Sequence, residues 1–365
     1  MKTTVIDINT FKKDSSFYGE LPLVLTVKSF ELQEIRKRYL ASKHNKNNRT
    51  GSVERRAVAL GGVSSVTIKN GKILNEKVIC ELKEPRGIAA NKTTFSVSSE
   101  NLVYLIDSRL RRLEHPWFSY IHTVDFSSDN KQLVVSSSGL DCLFVFDLET
   151  LELTQEWFAW ENGFNKGKDP KTGEEIILTR NSNEKGSNIK LIDNPKEQVL
   201  PTAMRAAFIN SVVFDGNNTD KLLASFFHEG AIFNIDLSSG VATKLVDGLK
   251  NPHGGKRIGD AILATSTGTG NVILQNQNER LEFDFSNLPG KPEELGDFEW
   301  LQNTVYYKGI YITIDSNRTS FVVFSPEQKL VDIIPYNNNW AVQDLVVTQL
   351  NDDISEKLKS LNEQD

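Results

Sequence analysis

The chain has 365 residues, with 42 Lys and Arg against 48 Asp and Glu for a net charge of −6, which leaves no basic surplus for phosphate contacts and excludes a general nucleic-acid binder. The 39% hydrophobic and 25% charged residues are those of a folded globular chain, and no apolar run reaches the roughly 18 residues that cross a bilayer, so no membrane partner is expected. Length alone suggests two or three domains, but a repeat overrides that division.

The first residues, Met1 to Asp7, contain no apolar stretch of the signal-peptide kind. Cys80 and Cys142 are the only cysteines, which points to a reducing compartment and a cytoplasmic location. Residues 1–56 read as an N-terminal extension. Within it, 30–39 places Leu32, Ile35 and Tyr39 on one helical face and predicts a short helix outside the main fold.

From Ala57 to Val347, short β-rich runs alternate with Gly, Asn, Asp and Ser, and long helical periodicity is missing. Five fifteen-residue windows, 93–107, 133–147, 222–236, 261–275 and 310–324, share a strand, polar turn, strand template. Each is preceded by a short opening strand, at Arg86, His122, Asn210, His253 and Gln302, and most are followed by a fourth. Four antiparallel strands repeated about every 40 residues are the signature of propeller blades.

A sixth opening strand at 341–347 has no window after it, so its partners are expected at 57–60, 64–69 and 73–80, divided by Gly61-Gly62 and Asn70-Gly71. Both termini would then close one blade and remove the exposed edges. The expected fold is an all-β, six-bladed β-propeller in a single domain, with seven blades as the alternative if 23–30 begins another. The tail, 352–365, carries Ile354, Leu358 and Leu361 and reads as a terminal helix, either resting on the domain or binding a partner.

In a propeller the first strand of each blade lines the central channel. The six opening positions, Arg86, His122, Asn210, His253, Gln302 and Gln343, are all polar and would ring its mouth. Four of the five histidines, His115, His122, His228 and His253, fall at blade openings or on turns of that face, and His44 stands apart. Such imidazoles either shuttle protons or hold a divalent metal of unspecified identity, or they are ordinary hydrogen-bonded channel residues. The candidate ligands are His122, His253, His228 and His115, and Glu229 is a candidate carboxylate base.

The five tryptophans stand where one blade hands over to the next. Trp117, Trp300 and Trp340 are candidates to wall an apolar pocket, whereas Trp157 reads as packing. The longest departure from the repeat, 158–208 between the third and fourth blades, is expected to emerge on the histidine face as a lid or as a solvated insertion. Arg205 at its return is a candidate for an anionic group. No P-loop, GxGxxG, GxSxG or CxxC motif occurs.

The stretches 121–135, 223–230 and 249–254 resemble bacterial six-bladed propellers of the NHL and arylsulfotransferase-like kind, over roughly residues 85–345. That resemblance implies a channel histidine as nucleophile, at His122 or His253. The expected function is an enzyme acting on a small organic molecule. Histidines 122 and 253, with Glu229, are the candidate catalytic groups; Arg86, Asn210, Gln302 and Gln343 orient the ligand, and hydrolysis, elimination and group transfer are open. The alternative is a non-catalytic propeller that binds a protein or peptide on the same face.

Overall fold

The computed structural model describes residues 1–42, 49–55 and 57–363. Six sheets dominate it, each with four antiparallel strands and two of them with a fifth, parallel strand at the outer edge. Their first strands are Ile88–Ala90, Ile121–Phe126, Ile209–Asp215, Pro252–Ile258, Leu301–Tyr307 and Val342–Val347. Each lies at one edge of its sheet and the following strands run outward in order. The six first strands touch one another in cyclic sequence, with Val342–Val347 next to Ile88–Ala90, so the sheets close on themselves as a β-propeller. All five windows fall on second and third strands; 222–236, for example, lies on the paired strands Asn218–Phe226 and Ala231–Asp236.

Side chains stitch neighbouring sheets together near the channel. Thr123 Oγ1 accepts from the Val212 N–H (2.8 Å), Ser211 Oγ donates to the Gly254 carbonyl, and Thr304 Oγ1 lies 2.9 Å from both Thr265 Oγ1 and Thr313 Oγ1. Gly87 keeps the inner strands close: a Cβ there would sit 2.8 Å from the Thr123 backbone. The apolar core lies between sheets, as in the cluster of Leu133, Val135, Phe144, Leu222 and Phe226.

The closing sheet differs from expectation in one strand. Val342–Val347 pairs with Glu20–Val27, and Leu60–Lys69 and Lys72–Lys83 follow. Gly61 and Gly62 therefore do not end a strand. A Cβ on Gly61 would lie 2.0 Å from the Val27 carbonyl oxygen, and one on Gly62 2.4 Å from that of Cys80, so these glycines admit a close neighbour instead of a turn. The turn is at Asn70-Gly71, with φ of 49° and 73°, as a two-residue hairpin requires. The 23–30 stretch thus supplies a second strand of this sheet and not a new blade.

The rest of the N-terminal stretch is also built into the domain. Lys2–Asp7 and Lys12–Lys13 add as parallel outer strands to the sheets that begin at Pro252 and Leu301. The Leu32–Ser42 helix buries Leu32 against Trp300 and Ala341, with Ile35 packed alongside; the side chain of Tyr39 lies outside the described residues, as does His44. At the other end, Asn351 caps the Asp352–Lys359 helix by accepting from the Ile354 N–H (2.8 Å). Leu358 and Leu361 bury against Val24, Ile79 and Tyr104, which docks the tail on two sheets.

Candidate functional site

Five of the six first strands carry a register irregularity where the polar ring was expected, at 121–124, 209–211, 253–256, 301–304 and 342–344. Such bulges re-aim side chains. They turn His122, Asn210, His253, Gln302 and Gln343 toward one cavity of about 560 Å³ at the channel mouth. A second device precedes it. Glu84, Tyr120, Phe208 and Asn251, each two residues before a ring residue, have positive φ of 46–55°, a conformation that is unusual for bulky aromatic side chains and concentrates at functional sites.

His122 and His253 face each other with ring centroids 5.7 Å apart and are only 5% and 8% exposed. Burial holds the His122 imidazole well below its usual range, and the charges of Arg86, Lys28 and Arg205 push it the same way. Burial, with help from Lys28, pushes His253 down to about 3. Both imidazoles are therefore neutral at neutral pH, each with one N–H and one lone pair. Thr267 Oγ1 fixes the His253 ring at Nδ1 (2.7 Å).

Around the pair, Gln343 Nε2 donates to Gln302 Oε1 (3.1 Å) and Lys28 Nζ to Gln343 Oε1 (2.9 Å). Asn210 Nδ2 donates to the Pro252 carbonyl (2.9 Å), whereas its Oδ1 is buried without a partner. Tyr120, Phe208, Phe227 and Trp300 wall the cavity. Arg86 is fully buried, ion-paired to Glu84 (3.0 Å) and stacked 3.7 Å from the Tyr120 ring centroid, so it supports the wall from behind.

Other expected site residues lie elsewhere. Arg205 is buried over Tyr120 and Phe208 and donates to the Leu200 carbonyl, so it supports the wall and does not line the cavity. His228 donates from Nε2 to the Thr202 carbonyl (2.9 Å), with its imidazole pushed down to about 3 by burial. His115 packs 4.3 Å from the Phe144 ring, away from the cavity, and Glu229 is an exposed turn residue. Trp117 packs edge-to-face with Phe158 and Trp160, and Trp340 lies beside Phe30. Only Trp300 of the three reaches the cavity.

The cover also comes from an unexpected segment. Ile35, Arg38 and Ala41 of the helix and residues 50–55 and 57 line the opening, while the 158–208 insertion contributes only Thr202 and Phe208. The insertion forms its own three-stranded sheet and buries Leu178, Ile192 and Leu200 against the sheets on either side. The described parts of the second-to-third-strand connection of the closing sheet, Lys28, the Leu32–Ser42 helix, residues 50–55 and Ala57, border the mouth instead. Ser52 accepts from the Ala203 N–H (3.1 Å) and anchors that connection to the insertion.

Among the described residues, no three His, Cys, Asp or Glu side chains come together as a metal-ligand set. The expected quartet of His115, His122, His228 and His253 reduces to a pair, because the other two are held on separate walls by their own packing. Among the described residues the cavity offers a cation two imidazoles, His122 and His253, with the positive charges of Lys28, Arg86 and Arg205 close to His122.

No family model and no curated protein matches this chain. Among solved structures it is similar to a nidogen/laminin complex, with a TM-score of 0.54 and 9% identity over 90% of this chain and 97% of that one, a likeness that shows the β-propeller fold. Weaker likenesses are to an inactive virginiamycin B lyase from Staphylococcus aureus with quinupristin (TM-score 0.42, 14% identity, 70% and 74% covered) and to a streptogramin B lyase (0.43, 9%, 69% and 83%). No helix among the described residues is long and apolar enough to cross a membrane.

Proposed function

We propose that the covered mouth of this propeller, read as a ring of six blades, is the site of an enzyme acting on a small organic molecule in a reducing, cytoplasmic setting. The observation that carries the reading is the pair of neutral, buried imidazoles facing each other in a cavity of ligand size. His253 is the base, oriented by Thr267 as a base is oriented by a third group. His122 is the second proton-handling group. Both lose basicity to burial and to nearby cations, and a substrate that brings negative charge reverses the cationic part of that effect. Gln302, Gln343 and Asn210 orient the substrate. Two buried, unpaired thiols, Cys80 and Cys142, support the reducing compartment.

A platform for a protein or peptide on the same face has less support, since the Leu32–Ser42 helix, residues 50–55 and Ala57 line the opening over the imidazoles. The test is a panel of esters, lactones, aryl sulfates and β-substituted acids, followed by mass spectrometry with wild type and His253→Gln. Conversion of one class by wild type, with at least a hundredfold loss in a folded His253→Gln, is the expected result. Equal conversion by both proteins, or none with any class, overturns the assignment.

A further inference from the structure

We infer that the ligand of this cavity is a carbonyl compound whose oxygen is taken by Gln302 Nε2; the inference rests on the cavity being a ligand site and deepens that reading. Gln302 stands inside the register irregularity at 301–304, is 1% exposed and lines the cavity. Its amide orientation is forced. A lysine ammonium can only donate, so the bond from Lys28 Nζ (2.9 Å) makes Gln343 Oε1 the acceptor and turns Gln343 Nε2 toward Gln302 Oε1 (3.1 Å). Flipping either amide would set two donors against each other. Gln302 Nε2 is therefore the far end of a relay that starts at the ammonium. Among the described residues no hydrogen bond takes its N–H groups, and it is not one of the interior polar atoms sealed without a partner, so it opens on the cavity.

An amide nitrogen has two hydrogens to give and no lone pair to offer, so the group it meets is an acceptor. Each bond in a chain of hydrogen bonds polarises the next, and this chain begins at a cation. The Gln302 N–H groups therefore suit an oxygen that gains negative charge during reaction. A carbonyl oxygen does so beside the two imidazoles. When one of them removes a proton, either from water adding to the carbonyl carbon or from the carbon next to it, the electron pair of the C=O bond settles on that oxygen. An ether oxygen accepts a hydrogen bond but takes up no such pair. Phe208, Phe227 and Trp300 line the same cavity and leave room beside the amide for an apolar body.

NMR titration with 1-indanone, phthalan and indane tests the contact. They share one bicyclic body and carry a carbonyl, a ring ether and neither. Indanone is expected to bind most tightly and indane about tenfold more weakly, because Gln302 Nε2 then stays unpaired. Gln302→Met should bring the three together. The infrared stretch of carbonyl-labelled indanone should lie lower when bound to wild type than to Gln302→Met, a readout that a merely structural role would not move. The wild-type series decides even if Gln302→Met fails to fold. Indanone no tighter than indane or phthalan, a preference that survives in Gln302→Met, or binding by none of the three overturns the inference. Conversion of aryl sulfates in place of esters and lactones overturns it too, while leaving the cavity an enzyme site. Gln302-dependent binding of indanone with no class converted supports the contact and overturns only the enzyme reading.

Discussion

The two ends of the channel are built from the same strands, one residue apart, and they have opposite chemistry. At one end stand His122, Asn210, His253, Gln302 and Gln343. The next residues, Thr123, Ser211, Gly254, Asn303 and Asp344, line a second cavity of about 710 Å³ together with Asp125 and Lys256. Burial removes charge at both. It pushes His253 down to about 3 and Asp344 up to about 7, because an ionised group loses hydration whichever its sign.

The neighbours then differ. Lys28, Arg86 and Arg205 reinforce burial at His122. At Asp344 the Asn303 amide (2.8 Å), the Leu345 N–H and Lys256 work against burial, and Asp125 works with it. A one-residue bulge is therefore enough to give a propeller one end where protons are excluded and another where a carboxyl holds one.

The largest test strikes the cationic support of the histidine end. Arg86→Met removes the guanidinium that is ion-paired to buried Glu84 and lies over the Tyr120 ring, and should lower unfolding free energy by about 3–5 kcal/mol, as removing one member of a buried pair does. Adding Glu84→Gln should recover part of the loss. Urea unfolding measures both; a loss below about 1 kcal/mol would show that the guanidinium is not needed to hold Tyr120.

The pH response comes next. In the folded chain His253 refuses a proton until about pH 3, whereas the unfolded chain accepts one near 6.5. The stability present above that value is therefore lost as pH falls from about 6.5 toward 3, by up to about 1.4 kcal/mol per pH unit for such a group. His253→Gln should flatten the decline, read as Tm between pH 7 and pH 4.5. Parallel curves for wild type and variant would falsify the account.

Asp344 has the opposite sign. Its folded carboxyl keeps a proton up to about 7 against about 3.9 unfolded, so stability is greatest below about 3.9 and is lost as pH rises from there to about 7. Asp344→Asn should stabilise the protein by about 1–2 kcal/mol at pH 8 and by little at about pH 4, where folded and unfolded chains both still bind the proton. A variant less stable than wild type at pH 8 would mean that the charged form is the one the Asn303 amide holds.

The smallest effect is expected from the insertion. Replacing the exposed residues 182–187 by two glycines should change stability by less than about 0.5 kcal/mol and leave the affinity for the substrate class that wild type converts unchanged. A large loss of affinity would return the insertion to the role of cover.

Strand content, the windows and the polar ring could be read from the sequence because they repeat: a residue type recurring at one place in every sheet is visible without coordinates. Tyr120 and Phe208 carried a weaker signal, an aromatic residue directly before an opening strand, but its meaning depends on their positive φ. Lys28 and Arg38 carried none, since a cation after a strand or on a short helix is an ordinary surface residue until the chain is traced over the channel.

The alternation of short strands and polar turns determined an all-β chain whose first strands meet, and with it the residues that share a channel, because side-chain period and turn chemistry are local. Only the tertiary structure decided what that period cannot express. Gly61 and Gly62 look like a turn and instead make room for the Val27 and Cys80 carbonyls. Four histidines look like a set, and the packing of Phe144 and the Thr202 carbonyl hold two of them apart. The cover includes the Leu32–Ser42 helix because Leu32 finds Trp300 and Ala341 across the ring, a pairing of residues far apart in sequence that burial selects and no local pattern records.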